Sequence, residues 1–446
     1  MAPVPEELKE FGRTRESALP AGNGVRLSTA GPHGPAQGGV HMRSKYPVLA
    51  VASALVWACP AWAAAGDPVP IGDGVTFDPI LAARLRYENV SQANLPDDAD
   101  AVTLRLRLGG EIKAGGFSFL AEGEGTAALA DEYNDTLPGN GVEPYPTVAD
   151  PENIELNRLQ IAYKAGTHSI TVGRQRIILD DARFVGNVGW RQNEQTFDAV
   201  RGQAKIGPVA LDATYAISQR TVFGVDSPNE HYDGDMVLLN AGADFKPVKL
   251  TAFAYLIDYD TRIAFSSKTY GLRAAGSFPL GGGLKLEALA GFAVQSDMGA
   301  NPTDYRAEYY NLEAGVSFAG FSLKGGYEEL GSDDGMASFQ TPLATLHAFN
   351  GWADLFSATP AAGLRDYYVT AAYRLDGVKA LPGLNLAASW HSFEADFGGL
   401  DYGEEIDLSL GFRLGPVALL AKCAAYDAKG FGVDTDKFWI QAEYGF

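Results

Sequence analysis

The chain has 446 residues, 55 acidic against 35 basic side chains, a formal net charge of −20 and 52 glycines. So acidic a chain lacks the basic surface that nucleic acid requires. Abundant glycine and aromatic residues, with few long helix-forming runs, point to an all-β protein with many tight turns.

Residues 1–41 are rich in Pro, Gly and Ala without period and read as a disordered extension or an over-long gene start. Residues 42–63 have the parts of a secretory signal peptide: Arg43 and Lys45, an apolar run, then Ala61-Trp62-Ala63 as a small-x-small cleavage site. The run is too short for a membrane anchor. Trp57 sits badly in the small-residue pattern of a lipoprotein signal ending at Cys59. Residues 64–74 read as a lead-in, and residues 75–446 as a single domain whose strands, taken below, point to a transmembrane β-barrel. Past the signal only Cys423 remains, so no internal disulfide can form. No later stretch is long and apolar enough for a membrane helix, so strands must do any spanning.

The strands alternate cleanly. In TLRLRLGGEI, Leu104, Leu106, Leu108 and Ile112 share one face, and Thr103, Arg105, Arg107 and Glu111 share the other. Phe117, Phe119 and Ala121 stand against Ser118, Glu122 and Glu124. The pattern returns in Leu159-Ile161-Tyr163 with Arg158, in Tyr270-Leu272 with Arg273, and in Leu408-Leu410-Phe412 with Arg413. Such charged faces do not suit the interior of a soluble sandwich. Short turns near Gly115-Gly116, Gly207-Pro208 and Gly415-Pro416 alternate with longer polar loops such as 131–153, 179–196 and 331–363. That asymmetry marks an outer-membrane barrel of about eighteen strands with short periplasmic turns and long extracellular loops. At this size the lumen is aqueous. The last strand, KFWIQAEYGF, alternates and ends in Phe446, the kind of signal the barrel assembly machinery reads.

The stretch from Gly173 to Arg201 carries five arginines: Arg174, Arg176, Arg183, Arg191 and Arg201. Unpaired guanidinium is costly in an ordinary core but tolerable in a wet barrel. Its sequence GRQRIILDDARFVGNVGWRQNEQTFDAV resembles the signature hairpin of the alginate export family. The run TPLATLHAFNGWADLF through GLRDYYV resembles that family as well. The resemblance spans nearly all of 75–446. It implies a monomeric, roughly eighteen-stranded barrel with an arginine-rich pore for an anionic polysaccharide. The family's exporter covers its pore with a long periplasmic turn near the C-terminus, whereas the corresponding turns here are short.

The candidate solute pathway is therefore Arg105, Arg107, Arg158, Arg174, Arg176, Arg183, Arg191, Arg201, Arg273 and Arg413. Arg is a planar, permanently charged fork that matches a carboxylate, and rings of Arg make anion-selective pores. The bland reading is that these arginines pair with Glu122, Glu124, Asp181 or Asp198 and hold the wall in register. Loop 331–363 carries Leu343, Leu346, Phe349 and Trp352 at roughly helical spacing. It can fold inward as a plug, leaving Phe349, Trp352 and Tyr367 to stack on sugar faces, or its aromatics only pack the loop to the wall. Outer-loop carboxylates such as Asp97, Asp98, Asp333 and Asp334 suit cation bridges to lipopolysaccharide, or a merely solvated face.

No spacing marks a metal site, and no cofactor is implied. An enzyme would need a nucleophile and base, yet no G-x-S-x-G elbow is present and only His168, His231, His347 and His391 remain past the signal. A non-enzymatic channel is expected. Its solute is alginate or a similar uronate polymer or oligomer; the alternative is a general diffusion porin for small anionic nutrients. A purely structural barrel or an adhesin is the remaining rival. Expected surroundings are outer-membrane lipid and lipopolysaccharide.

Overall fold

A computed structural model describes residues 67–138 and 144–446. The extension and signal read in residues 1–63 lie outside the described residues.

A four-residue strand, β1 (Val69–Gly72), lies against the start of β2 (Val75–Gln92). Then come β3 (Ala99–Ala114), β4 (Phe117–Glu132), β5 (Asn153–Ala165), β6 (His168–Gln175), β7 (Thr196–Ile206) and β8 (Val209–Arg220). They are followed by β9 (His231–Phe245), β10 (Val248–Tyr259), β11 (Ser267–Gly281), β12 (Leu284–Asp297), β13 (Arg306–Phe318) and β14 (Phe321–Leu330). Two tiny strands, β15 (Ser332–Asp333) and β16 (Ala337–Ser338), pair only with each other inside the next loop. The wall resumes with β17 (Leu364–Leu375), β18 (Leu384–Glu394), β19 (Asp401–Leu414), β20 (Val417–Ala428) and β21 (Thr435–Gly445). Each wall strand is antiparallel to the one before it. β21 pairs with β2 from Ala82↔Gly445 to Gln92↔Thr435, which closes an 18-strand barrel.

The alternation read in the sequence becomes the two faces of this wall. Outward positions form an apolar band that includes Leu104, Ile161, Val172, Leu272, Leu312 and Ile440. Aromatic girdles flank it. Tyr215, Tyr270, Tyr310 and Tyr367 lie toward the long loops; Phe117, Tyr163, Phe318 and Tyr373 lie toward the short turns. This is the surface that a lipid hydrocarbon layer with two polar interfaces selects. The short turns are possible because glycine takes their left-handed corners. Gly115 and Gly116 have φ of 53° and 89°, and a Cβ on Gly116 would stand 2.8 Å from the Lys164 carbonyl oxygen.

The lumen is less empty than barrel size alone suggests. Two long loops, 176–195 and 331–363, turn inward. Their apolar side chains Ile177, Leu179, Val185, Phe339, Leu343 and Phe356 pack with inward wall residues such as Phe197, Met236, Phe253, Tyr309, Phe393 and Trp439. A loop this long with apolar content must bury it somewhere, and here the free space lies inside the barrel.

Candidate functional site

The two inner loops are fastened to each other. Gly186 N–H donates to the Leu343 carbonyl at 2.8 Å, and Thr345 N–H donates to Ala182 at 3.0 Å. The Gln195 amide spans both, donating to the carbonyls of Gly186 and Leu343. Together they cross the lumen as one body held between two chemically different stretches of wall.

One stretch is basic. Arg84 and Arg86 on β2, Arg105 and Arg107 on β3, Lys422 on β20 and Lys437 on β21 all face inward on neighbouring strands. Arg84 sits directly across from Arg105. Both reach the same carboxylate, Glu443, at 3.1 and 2.8 Å. Arg84 also donates to the carbonyls of Gly189, Trp190 and Arg191, and Arg86 donates to Trp190. Arg107 pairs with Glu124 and, at 3.6 Å, with Glu194. Even so, Arg84 Nε, Arg105 Nε and Nη1, and Arg107 Nη2 have no hydrogen-bond partner among the described residues. Guanidiniums set opposite each other in a ladder repel, and one carboxylate only partly offsets this.

The adjoining stretch of wall, from β14 to β19, is acidic. Glu328 on β14 accepts from Arg183 at 2.7 Å and from Asn350 at 2.8 Å. Asp366 on β17 meets His391, and Glu405 on β19 accepts from Ala353 N–H. The plug is thus held by carboxylates on one run of strands and meets cations on the next.

Where the plug reaches the basic side it ends in a tight cluster. The His347 ring stacks on Trp190 with centroids 4.3 Å apart and planes 6° apart. His347 Nε2 accepts from Lys422 Nζ at 2.7 Å, which leaves Nδ1–H to donate to Asp354 Oδ1 at 2.9 Å. Lys422 Nζ also lies 3.5 Å from the Trp352 ring and 4.1 Å from Trp190. Asp354 accepts further from Lys437 at 3.0 Å and Arg191 at 3.3 Å. Burial pushes His347 down to about 3, helped by the Lys422 and Arg191 charges and only partly opposed by Asp354. Burial of Asp354 would raise it, but His347, Lys437 and Arg191 outweigh that and hold it well below the ordinary carboxylate range. Burial works against the charge on Arg191, yet Glu88, Asp150 and Asp354 hold it above its ordinary value.

The sequence-predicted arginines divide accordingly. Arg105, Arg107 and Arg158 face inward from the wall, Arg158 bound to Glu122 at 2.7 Å. Arg176, Arg183 and Arg191 lie in the inner loop, with Arg176 paired to Glu194. Arg201 faces inward on Asp212, and Arg273 on Asp181 at 2.7 Å. Arg413 stands at the short-turn end and donates to the Pro416 carbonyl. Arg174 is a correction. It shares the parity of the lipid-facing Ile170 and Val172, pairs in register with Leu159 and Asp198, and binds Asp198 at 2.8 Å on the outer face. β6 ends at Gln175, so Arg176 escapes that parity by leaving the strand.

Of the aromatic candidates, Tyr367 is a correction. Tyr367 is 41% exposed on the outer face, beside Tyr327 and bonded to Glu394. It belongs to the girdle. Phe349 lies under the Arg183 guanidinium at 4.8 Å, and Trp352 covers Lys422. A cation of the chain lies against one face of each of these two rings. Sequence reasoning missed Arg84, Arg86, Lys422 and Lys437. For the first two the signal was present, because Arg84-Leu85-Arg86-Tyr87-Glu88 alternates like the Arg105–Arg107 segment.

A closed antiparallel barrel with an apolar outer band, short turns at one end and inward-folded long loops defines an outer-membrane channel protein. Residues 80–319 match the alginate export family, and the chain belongs to that family. None of the curated proteins matches the sequence significantly. Among solved structures, the chain is similar to a BenF-like porin from Pseudomonas fluorescens Pf-5, at 15% identity and TM-score 0.66 over 83% of this chain and 98% of that one. It is likewise similar to OccAB3 of Acinetobacter baumannii, at 14% identity and TM-score 0.65 over 83% and 99%. Pseudomonas aeruginosa OpdK, solved with vanillate, is similar at 15% identity and TM-score 0.63 over 83% and 98%. These likenesses show the fold, and the outer membrane is where the chain resides.

Proposed function

We propose that this outer-membrane channel passes anionic saccharides, with alginate-like uronate polymer or its oligomers as solute, and that its arginine strip selects them. The observation that carries the reading is the Arg84–Arg105 pair, set opposite in register on the inner face and sharing Glu443. The Glu443 side chain is 33% exposed, so the carboxylate that this buried pair shares reaches the open lumen. A solute carboxylate arriving there can replace Glu443 on a guanidinium fork that already favours a bidentate anion. The barrel works as a monomer, with lipid and lipopolysaccharide against its outer band, and its C-terminal strand serves the assembly machinery.

A general diffusion porin for small anionic nutrients is the second reading. It is favoured by the packed inner loops and by the vanillate, a small carboxylate, in the OpdK structure. Planar-bilayer recording separates the two. The saccharide reading expects an anion-directed reversal potential in a salt gradient and block by oligouronate. Arg105→Ala should weaken that block about tenfold, the worth of one charge-assisted hydrogen bond. Glu443→Gln should strengthen it. Small carboxylates that permeate while oligouronate neither blocks nor permeates would favour the diffusion porin. A preference for cations overturns both.

A further inference from the structure

Beneath the inner loop, on the short-turn side, lies a cavity of about 540 Å³. Its roof is the loop segment Ile178, Leu179 and Asp180, and its walls are the inward faces of strands β5 to β10. Four cations line it: Lys164, Arg201, Lys205 and Lys249. Two carboxylates face them. Asp212 is taken by Arg201 at 2.6 Å, and Asp180 by Lys249 at 3.1 Å. That leaves Lys164 and Lys205, both exposed, with no carboxylate partner among the described residues.

The charge here is of a different kind from the arginine strip. Every wall guanidinium near the cavity is engaged, whereas the two free groups are lysines. An ammonium on a flexible stem offers three donors in any direction and releases its partner readily. Around the rim Lys113, Lys285 and Lys324 also face inward near short turns, but each is paired, with Asp78 and Glu111, with Glu287 and with Glu313 respectively. Lys164 and Lys205 thus stand unpaired at the mouth on the periplasmic side of a chain whose overall charge is −20.

We propose that this cavity is a capture site for the carboxylates of an oligouronate chain arriving from the periplasm, with Lys164 and Lys205 as its primary ligands. The proposal rests on the anionic-saccharide reading and deepens it by giving the pathway an entrance. A passive channel cannot move solute uphill. What a charged mouth changes is the rate of encounter, by concentrating oppositely charged solute at one end.

The test is single-channel block by oligouronate added to either face of the same channel. The short-turn face is identified with Lys205→Cys, which a membrane-impermeant thiol reagent modifies from that face alone. The native Cys423 does not interfere, because it sits in register with the outward Leu408 and Phe438. Block should need about tenfold less oligouronate from the short-turn face. In the double variant Lys164→Gln, Lys205→Gln that difference should vanish, while block from the long-loop face stays as it was. Heat-modifiable electrophoretic migration checks that the variant barrel is closed. Equal block from both faces of an anion-selective wild-type channel, or an unchanged difference in the double variant, overturns the capture site and leaves the saccharide reading standing. A cation-selective wild-type channel overturns that reading itself.

Discussion

Arginines of identical chemistry do different work in this wall, and the difference lies in which side of the backbone each leaves from. Arg105 and Arg174 are both strand residues with a carboxylate partner. Arg105 is 1% exposed and faces the lumen, while Arg174 lies on the lipid-side face with Asp198. Arg174→Gln should therefore leave the reversal potential unchanged under conditions where Arg105→Ala shifts it; a shift with Arg174→Gln would place that residue on the solute path. Arg183 makes a third case. Its guanidinium and Glu328 are both nearly fully buried and bonded at 2.7 Å. Removing one partner strands the other charge, so Arg183→Met should destabilise the plug by about 3 kcal/mol. Noisier current with preserved anion preference is the readout, and a quiet channel would show that Arg183 is dispensable to the plug.

At the scale of elements, the inner loops behave as a part that can be released. Their end on the basic wall is the His347–Asp354–Lys422 cluster with Trp190 and Trp352. An imidazole free in solution titrates near 6.5, and docking depresses it to about 3. A docked loop therefore holds fewer protons than a released one between these values. The contribution of His347 to docking is fully present above 6.5 and is lost as pH falls toward 3. The depressed Asp354 acts in the same direction at the acid end, because its contribution is present above the free carboxylate value and is lost below it. As pH falls below about 6.5, current noise and tryptophan fluorescence should thus change progressively. In His347→Gln the onset should move to lower pH, into the carboxylate range; a profile identical to wild type would exclude His347 as the titrating group.

The strands were legible because a wall with lipid outside and polar space inside imposes a period of two on nearly every segment. The same rule placed Arg105, Arg107, Arg158, Arg201 and Arg273 correctly. It failed at Arg174 and Tyr367 for a local reason. Each was judged by the hairpin or loop around it, although its own strand neighbours, Val172 and Val369, already marked the outer face. What remained hidden was pairing across distance. Arg183 meets Glu328, and Lys422 meets His347, only through the register of a closed barrel and the entry of two loops into it. No local pattern encodes either contact.

For the whole molecule, the distribution of charge matters more than its sum. A surplus of acid does not forbid an anion path when the cations are concentrated on one part of the inner wall. The reach of that positive field falls with salt, from about 30 Å at 0.01 M to about 3 Å at 1 M. Anion preference measured at a fixed concentration ratio should therefore weaken as mean ionic strength rises. A preference independent of salt would mean that direct contact at the arginines, rather than the field, does the selecting.

The Arg84 and Arg86 contacts have one more consequence. Both residues lie on β2, which meets β21 where the circle closes, and both bind β21 side chains, Glu443 and Gln441, as well as inner-loop carbonyls. A sheet that never quite shut would offer two raw margins to any passing strand. Here the joint between first and last wall strands is stitched by its own ladder and strapped again from within, so a stray strand finds no hem to unpick.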